Sequence, residues 1–159
     1  MCKEISWLDD SSQLDSILTS FPPVDLAFAY GSGAVKQGSY NYSLDKDIEN
    51  VEYPMLDLIF AVEDSEAWHK LNKERNRHHY TSILDLNASQ IGKVQRSIGA
   101  RVWFNAMVPM PRLTSTITCS NRLLKYGVIE TSDLQKDLTT WETLYIAGRL
   151  HKPVQLLKS

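Results

Sequence analysis

The spacing of apolar residues changes twice in the first third of the chain. Leu14, Ile17, Leu18 and Phe21 recur at helical spacing behind Asp10, Ser11 and Ser12, which can cap a helix, and Pro22 and Pro23 then stop it. Val24, Leu26, Phe28 and Tyr30 follow at the period of a strand and run directly into Gly31-Ser32-Gly33. Ala34 to Pro54 is polar and without sustained period, which predicts a long loop. Met55 to Val62 is almost continuously apolar, the pattern of a strand buried on both faces, and holds one charge, Asp57.

Farther along, Asp64 and Ser65 can cap a helix with Trp68 and Leu71 on one face and His69, Lys70, Asn72, Lys73, Arg75, Asn76, His78 and His79 around the rest. Ile91, Val94 and Ile98 mark another helix, closed by Gly99. Arg101 to Val108 reads as a third strand, on which Trp103 shares a face with Arg101 and Asn105. Asn121 to Tyr126 reads as a short helix ended by Gly127. A last helix is expected from Ser132 to about Leu150, with Leu134, Leu138, Trp141 and Tyr145 on its apolar face. Trp68, Trp141 and Tyr145 are accordingly read as core. The expected class is α+β: a small mixed sheet of Val24–Tyr30, Met55–Val62 and Arg101–Val108 with helices packed on one side.

Composition narrows the function more than the fold. A chain of 159 residues, 43% hydrophobic and 23% charged, is enough for one core, so residues 1–159 are read as one domain. A net charge of −2 argues against a dedicated nucleic-acid binder. Cys2 and Cys119 are far apart and outside any metal-ligand spacing, and His69, His78 and His79 have neither a cysteine partner nor helical ligand spacing. The longest apolar run, Leu58 to Val62, falls far short of the ~20 residues of a membrane span, which predicts a soluble chain. Met1 to Asp10 has no features of a targeting segment.

The chemistry concentrates at two junctions. A strand ending in Gly31-Ser32-Gly33 makes a tight turn whose backbone N–H groups can approach phosphate oxygens, and the same residues also suit a plain structural turn. Asp57 inside an apolar strand is costly unless a partner or metal meets it. If the two strands are neighbours, its carboxylate is a hard oxygen ligand suited to Mg2+ on a nucleoside triphosphate. The alternative is a buried carboxylate held by amides or a basic partner.

A Gly-Ser turn followed by an apolar-Asp-apolar strand resembles the polymerase-β-like nucleotidyltransferases. Two features depart from that outline: Ile59 stands where a second acidic residue is usual, and the spacer from Ser32 to Asp57 is long. Asp45, Asp47 and Glu63 are the candidates for a second ligand, or Asp57 and the triphosphate hold the metal alone. Ordered blocks make the resemblance more specific. They are Phe21-Pro22-Pro23 with Ala27 to Gly33, Leu56 to Val62, Ala67-Trp68-His69-Lys70 through Asn76 and His79-Tyr80, Gly99-Ala100 with Phe104-Asn105, Lys125 to Ile129, and Leu144 to Leu150. Together they resemble the mitochondrial translocator-maintenance type of CDP-diacylglycerol synthase from about Phe21 to Val154.

That resemblance implies a nucleotidyltransferase core and a Mg2+-dependent phosphatidate cytidylyltransferase. It would convert CTP and phosphatidic acid to CDP-diacylglycerol and pyrophosphate, as a peripheral enzyme on the matrix side of the mitochondrial inner membrane in cardiolipin and phosphatidylglycerol synthesis. Family members are longer, with a further C-terminal helical, winged-helix-like part, so membrane contact is expected through the full-length protein, and this piece alone is expected to be weak or inactive. Gly31, Ser32 and Gly33 are assigned to the triphosphate, with Ser32 and Asp57 catalytic and Asp57 the metal ligand. His69, Lys70, Asn72, Arg75, Asn76 and His79 are assigned to CTP phosphates or the phosphatidate headgroup, against a solvated helix face as the alternative. Lys125, Arg149 and Lys152 are candidate phosphate or anionic-lipid contacts, or exposed cations at helix ends. No nucleic-acid partner is expected. A transferase with another acceptor, or a non-catalytic module binding lipid headgroups or protein partners, are the rival readings.

Overall fold

The computed structural model describes residues 17–34, 54–80, 85–110 and 122–159. The expected caps at Asp10, Ser11 and Ser12, and the loop carrying Asp45 and Asp47, lie outside them. Five strands form one mixed sheet: β1 (Leu26–Tyr30), β2 (Leu56–Val62), β3 (Val102–Pro109), β4 (Leu123–Glu130) and β5 (Val154–Lys158). Their spatial order is β3-β4-β2-β1-β5. β2 runs antiparallel to β1 and parallel to β4, and β3 and β5 close the two sides as antiparallel neighbours of β4 and β1.

The inner strands are buried on both faces, and side-chain alternation divides them into two cores. Leu56, Leu58, Phe60, Leu124, Tyr126 and Val128 point into one, with Phe21 and Trp68. Tyr30, Ile59, Ala61, Ile129, Leu134 and Ile146 fill the other. The first core is covered by α1 (Ser65–Arg75) and the 3-10 turn Arg77–His79, with α2 (Ala88–Ser97) packed against α1. The second is covered by α3 (Thr131–Thr140) and α4 (Tyr145–Arg149). Helices therefore lie on both sides of the sheet rather than one, because each inner strand has two apolar faces to cover.

Local signals hold where capping chemistry decides. The Asp64 side chain accepts from the Ala67 amide at the start of α1, and Asn87 with Gln90 forms a capping box at the start of α2. They fail where pairing decides. Leu123 to Glu130, expected to be helical up to Tyr126, is the interior strand β4, between β3 and β2. Gly127 ends no helix: a Cβ there would lie 2.6 Å from Phe104 Cε1, so it is the space into which that ring leans. The helix expected from Ser132 to Leu150 is two helices, broken where Trp141 and Leu144 adopt left-handed backbone angles. Trp141 is 67% exposed and not core. On α1 the buried face runs through Ser65, Trp68, His69 and Asn72, leaving Leu71 exposed. β5 has too short an apolar pattern to be read from sequence, and its backbone is ordered by pairing with β1.

Candidate active site

Asp57 faces the α3–α4 side, because it alternates with Leu56 and Leu58 on the opposite side. It pairs across the strands with Tyr30 on β1 and with Lys125 on β4. Gly31 has a φ of +79°, and a Cβ there would be 3.9 Å from Asp57 Oδ2, so the turn passes directly over the carboxylate. At Gly33 a Cβ would come within 2.2 Å of the Met55 carbonyl oxygen, which only glycine avoids. Arg122, 7% exposed, clamps that turn: Nε donates to the Pro54 carbonyl at 3.1 Å and Nη2 to the Gly33 carbonyl at 2.5 Å.

Three cations act on Asp57. Burial raises its pKa, and the charges of Lys125, Arg149 and Lys152 oppose that rise. Lys125 Nζ sits 4.8 Å from the Phe104 ring centroid, and Arg149 Cζ lies 4.5 Å from Tyr145, 5.4 Å from Tyr30 and 5.6 Å from Phe104. One aromatic floor thus holds two like charges beside a single carboxylate, leaving positive charge in excess. The Tyr30 hydroxyl, in a residue only 2% exposed, and Arg149 Nε are buried and find no hydrogen-bond acceptor among the described residues. Burial first, and then the Asp57 charge, push the Tyr30 phenol up to about 12, so it remains a donor. Positive charge in excess and unused donors around one carboxylate are what a metal-bound polyphosphate requires.

The turn contributes less through its amides than the sequence implied. The Gly31 N–H is already donated to the Pro153 carbonyl at 3.2 Å, because β5 pairs beside it. Ser32 is exposed at the tip of the turn, with its hydroxyl available to a ligand. For a metal, Asp57 offers one carboxylate, and no group of three His, Cys, Asp or Glu exists among the described residues. That fits Mg2+, which keeps waters and takes one or two carboxylates with substrate phosphates. Glu63 is excluded as a partner: it follows the far end of β2, six residues or roughly 20 Å along an extended strand.

His69, Asn72, Asn76 and His79 do not join this site. They lie on the opposite face of the sheet, all at most 9% exposed, in a closed polar network. The Tyr126 hydroxyl accepts from Asn72 Nδ2 and Asn105 Nδ2, both at 2.8 Å, and so donates to His79 Nδ1 at 3.1 Å. His69 Nε2 donates to Gln95 Oε1, which leaves Nδ1 to accept from the Tyr80 hydroxyl at 2.9 Å. Burial lowers both imidazoles to about 4, so both are neutral. Asn76 Nδ2 bonds the Ser20 carbonyl and Asn72 Oδ1, and Arg75 Nη1 donates to the Phe21 carbonyl at 2.6 Å. Of the six, only Lys70 and Arg75 are exposed, and Lys70 lies in a shallow groove with Lys73, Glu74, Arg77 and Asn87. Neither the ligand grip that the resemblance implies nor the solvated helix face that composition suggests describes His69, Asn72, Asn76 and His79, because a polar sequence does not distinguish a buried network from an open one.

The family described as "Phosphatidate cytidylyltransferase, mitochondrial" matches residues 14–159. Proteins bearing the same description are similar to this chain. The one from Xenopus laevis is 44% identical over 146 residues, covering 91% of this chain and 39% of the relative. The one from Danio rerio is 44% identical over 143 residues, with 89% and 38% covered. The one from Homo sapiens is 41% identical over 142 residues, with 89% and 28% covered. The chain therefore spans about two fifths or less of the length of these relatives. A match that takes in the Gly31 turn, Asp57, Lys125 and Arg149 in one continuous span identifies this chain as a member of the mitochondrial phosphatidate cytidylyltransferase family.

Proposed function

We propose that this chain is the CTP- and metal-binding part of a phosphatidate cytidylyltransferase. The observation that carries the proposal is Asp57: a single carboxylate on an otherwise apolar strand, passed by Gly31 and acted on by three cations. In this reading the triphosphate lies between the Gly31–Ser32 turn and the side chains of Lys125, Arg149 and Lys152. Asp57 and the triphosphate oxygens would hold Mg2+, which supplies charge neutralisation at the α-phosphate and the leaving oxygen.

A phosphate oxygen of phosphatidate attacks the α-phosphorus of CTP in line. The new P–O bond gives CDP-diacylglycerol, the α–β P–O bond breaks, and pyrophosphate leaves with the electron pair. The phosphatidate phosphate is already ionised at neutral pH, so no side chain need remove a proton. Lys125 and Arg149 meet the charge that gathers on the departing pyrophosphate, and their aromatic floor fixes them before substrate arrives. The relatives are named mitochondrial, and no helix among the described residues is long and apolar enough to cross a membrane. The reading places the full-length protein peripherally on the matrix side of the inner membrane, where phosphatidate reaches the site from the bilayer.

Calorimetric titration of CTP with Mg2+ into the full-length protein and its Asp57→Asn variant, with ATP as control, tests the site. Selective CTP binding that collapses in the variant, together with loss of turnover by about a hundredfold or more, is the expected outcome. Binding untouched by Asp57→Asn would overturn it.

A further inference from the structure

Arg149 is the last residue of α4, a helix of five residues that is far too short to persist without outside support. The turn before it is unfavourable. Trp141 and Leu144 both carry positive φ, +57° and +59°, a conformation that residues with a Cβ avoid, and Leu144 at the N-cap position has no side-chain oxygen for the first amides of α4.

One carboxylate compensates for all of this. Asp137 in α3 is 2% exposed. Its Oδ1 accepts from the Thr143 amide at 2.9 Å and the Thr143 hydroxyl at 2.6 Å, and its Oδ2 accepts from the Ile146 amide at 2.8 Å and the Ala147 amide at 3.0 Å. The Thr143 oxygen in turn accepts from the Tyr145 amide at 3.2 Å. Every amide from Tyr145 to Ala147 therefore has its acceptor in, or one step from, Asp137. The other polar brace on the turn, Arg101 to Glu142 at 3.0 Å, is exposed and contributes little.

We infer that Asp137 is a positioning residue: by capping α4 from α3 it fixes the Arg149 guanidinium over Tyr30, Phe104 and Tyr145, where Arg149 meets the polyphosphate. The role toward polyphosphate rests on the proposed function; the capping of α4 does not.

The test uses full-length protein with Asp137→Asn, Arg149→Ala and the double variant. Asparagine keeps the size, but its NH2 group can accept from neither the Ile146 and Ala147 amides nor, when flipped, the Thr143 amide. Two readouts are taken: NMR hydrogen exchange at the Ile146 and Ala147 amides with the Arg149 Nε–H resonance, and the Kd of CTP with Mg2+. In Asp137→Asn the two amides should exchange at least about tenfold faster, the Arg149 Nε–H signal should move or broaden, and CTP should bind about tenfold more weakly. In the Arg149→Ala background the same change should weaken CTP binding by less than about twofold, because its route through Arg149 is gone. Unchanged exchange at Ile146 and Ala147, or a CTP effect that adds in full to that of Arg149→Ala, would overturn the inference. If wild-type protein does not bind CTP, the proposed function fails while the exchange arm still decides the capping of α4. If Asp137→Asn does not fold, Thr143→Val removes the hydroxyl that donates to Asp137 and accepts from the Tyr145 amide, and should shift the same signals in the same direction; no shift there would overturn the proposal.

Discussion

At Asp57, desolvation and three neighbouring cations pull in opposite directions. Burial favours the protonated acid, and Lys125, Arg149 and Lys152 favour the carboxylate that a metal requires. Removing one cation by Lys125→Met lets burial gain, so the Asp57 pKa rises and the carboxylate form is lost at a higher pH on acidification. The acid limb of CTP binding in the presence of Mg2+ should therefore move to higher pH in Lys125→Met, which calorimetry across that limb measures; a limb that stays in place or moves down would contradict this electrostatic account. Asp57 was legible in the sequence because a lone charge in an apolar run has few explanations. Arg122 and Tyr30 were not, since a surface arginine and an arginine clamped on the Gly33 carbonyl have the same one-letter code, and Tyr30 fits a strand pattern with or without a free hydroxyl.

Among the elements, α1 is a helix whose buried side is polar. Its His69 and the nearby His79 are both depressed to about 4 from an ordinary value of 6.5, burial being the larger cause in each. Between those values the unfolded chain binds protons that the folded chain refuses. The stability from these neutral histidines is complete above about pH 6.5 and is lost as pH falls toward 4. Thermal melts over that window should show Tm falling with pH, with a shallower fall in His69→Gln; a slope unchanged by that substitution would show that His69 titrates freely. The strand β4 makes the complementary point about elements. Lys125, Gly127 and Ile129 alternate with Leu124, Tyr126 and Val128 at the strand period, yet a glycine closing the short run from Asn121 to Tyr126 also fits a helix end, and pairing with β2 and β3 decided between them.

Across the whole molecule the sheet separates two tasks. One face carries the charged site of Asp57, Lys125 and Arg149, and the other carries the closed network around the Tyr126 hydroxyl. Asn72→Ala strips donors from Tyr80 and Tyr126 in the core and should cost about 1–3 kcal/mol in chemical denaturation while leaving CTP affinity unchanged. Asp57→Asn should do the reverse, abolishing CTP binding with little loss of stability. Coupled losses in both variants would mean that the two faces are not independent. The strands at β1 and β2, the capped start of α1, the Gly31–Gly33 turn and the isolated Asp57 were determined by the sequence itself, because period, capping and a charge among apolar residues act over a few neighbouring positions. Tertiary structure alone decided that β4 is an interior strand, that α4 exists, that His69, Asn72, Asn76 and His79 are core while Lys125 and Arg149 flank Asp57, because these depend on partners outside the local window, up to 92 positions away for Asp57 and Arg149, and no local pattern encodes which face of a sheet a distant residue will meet.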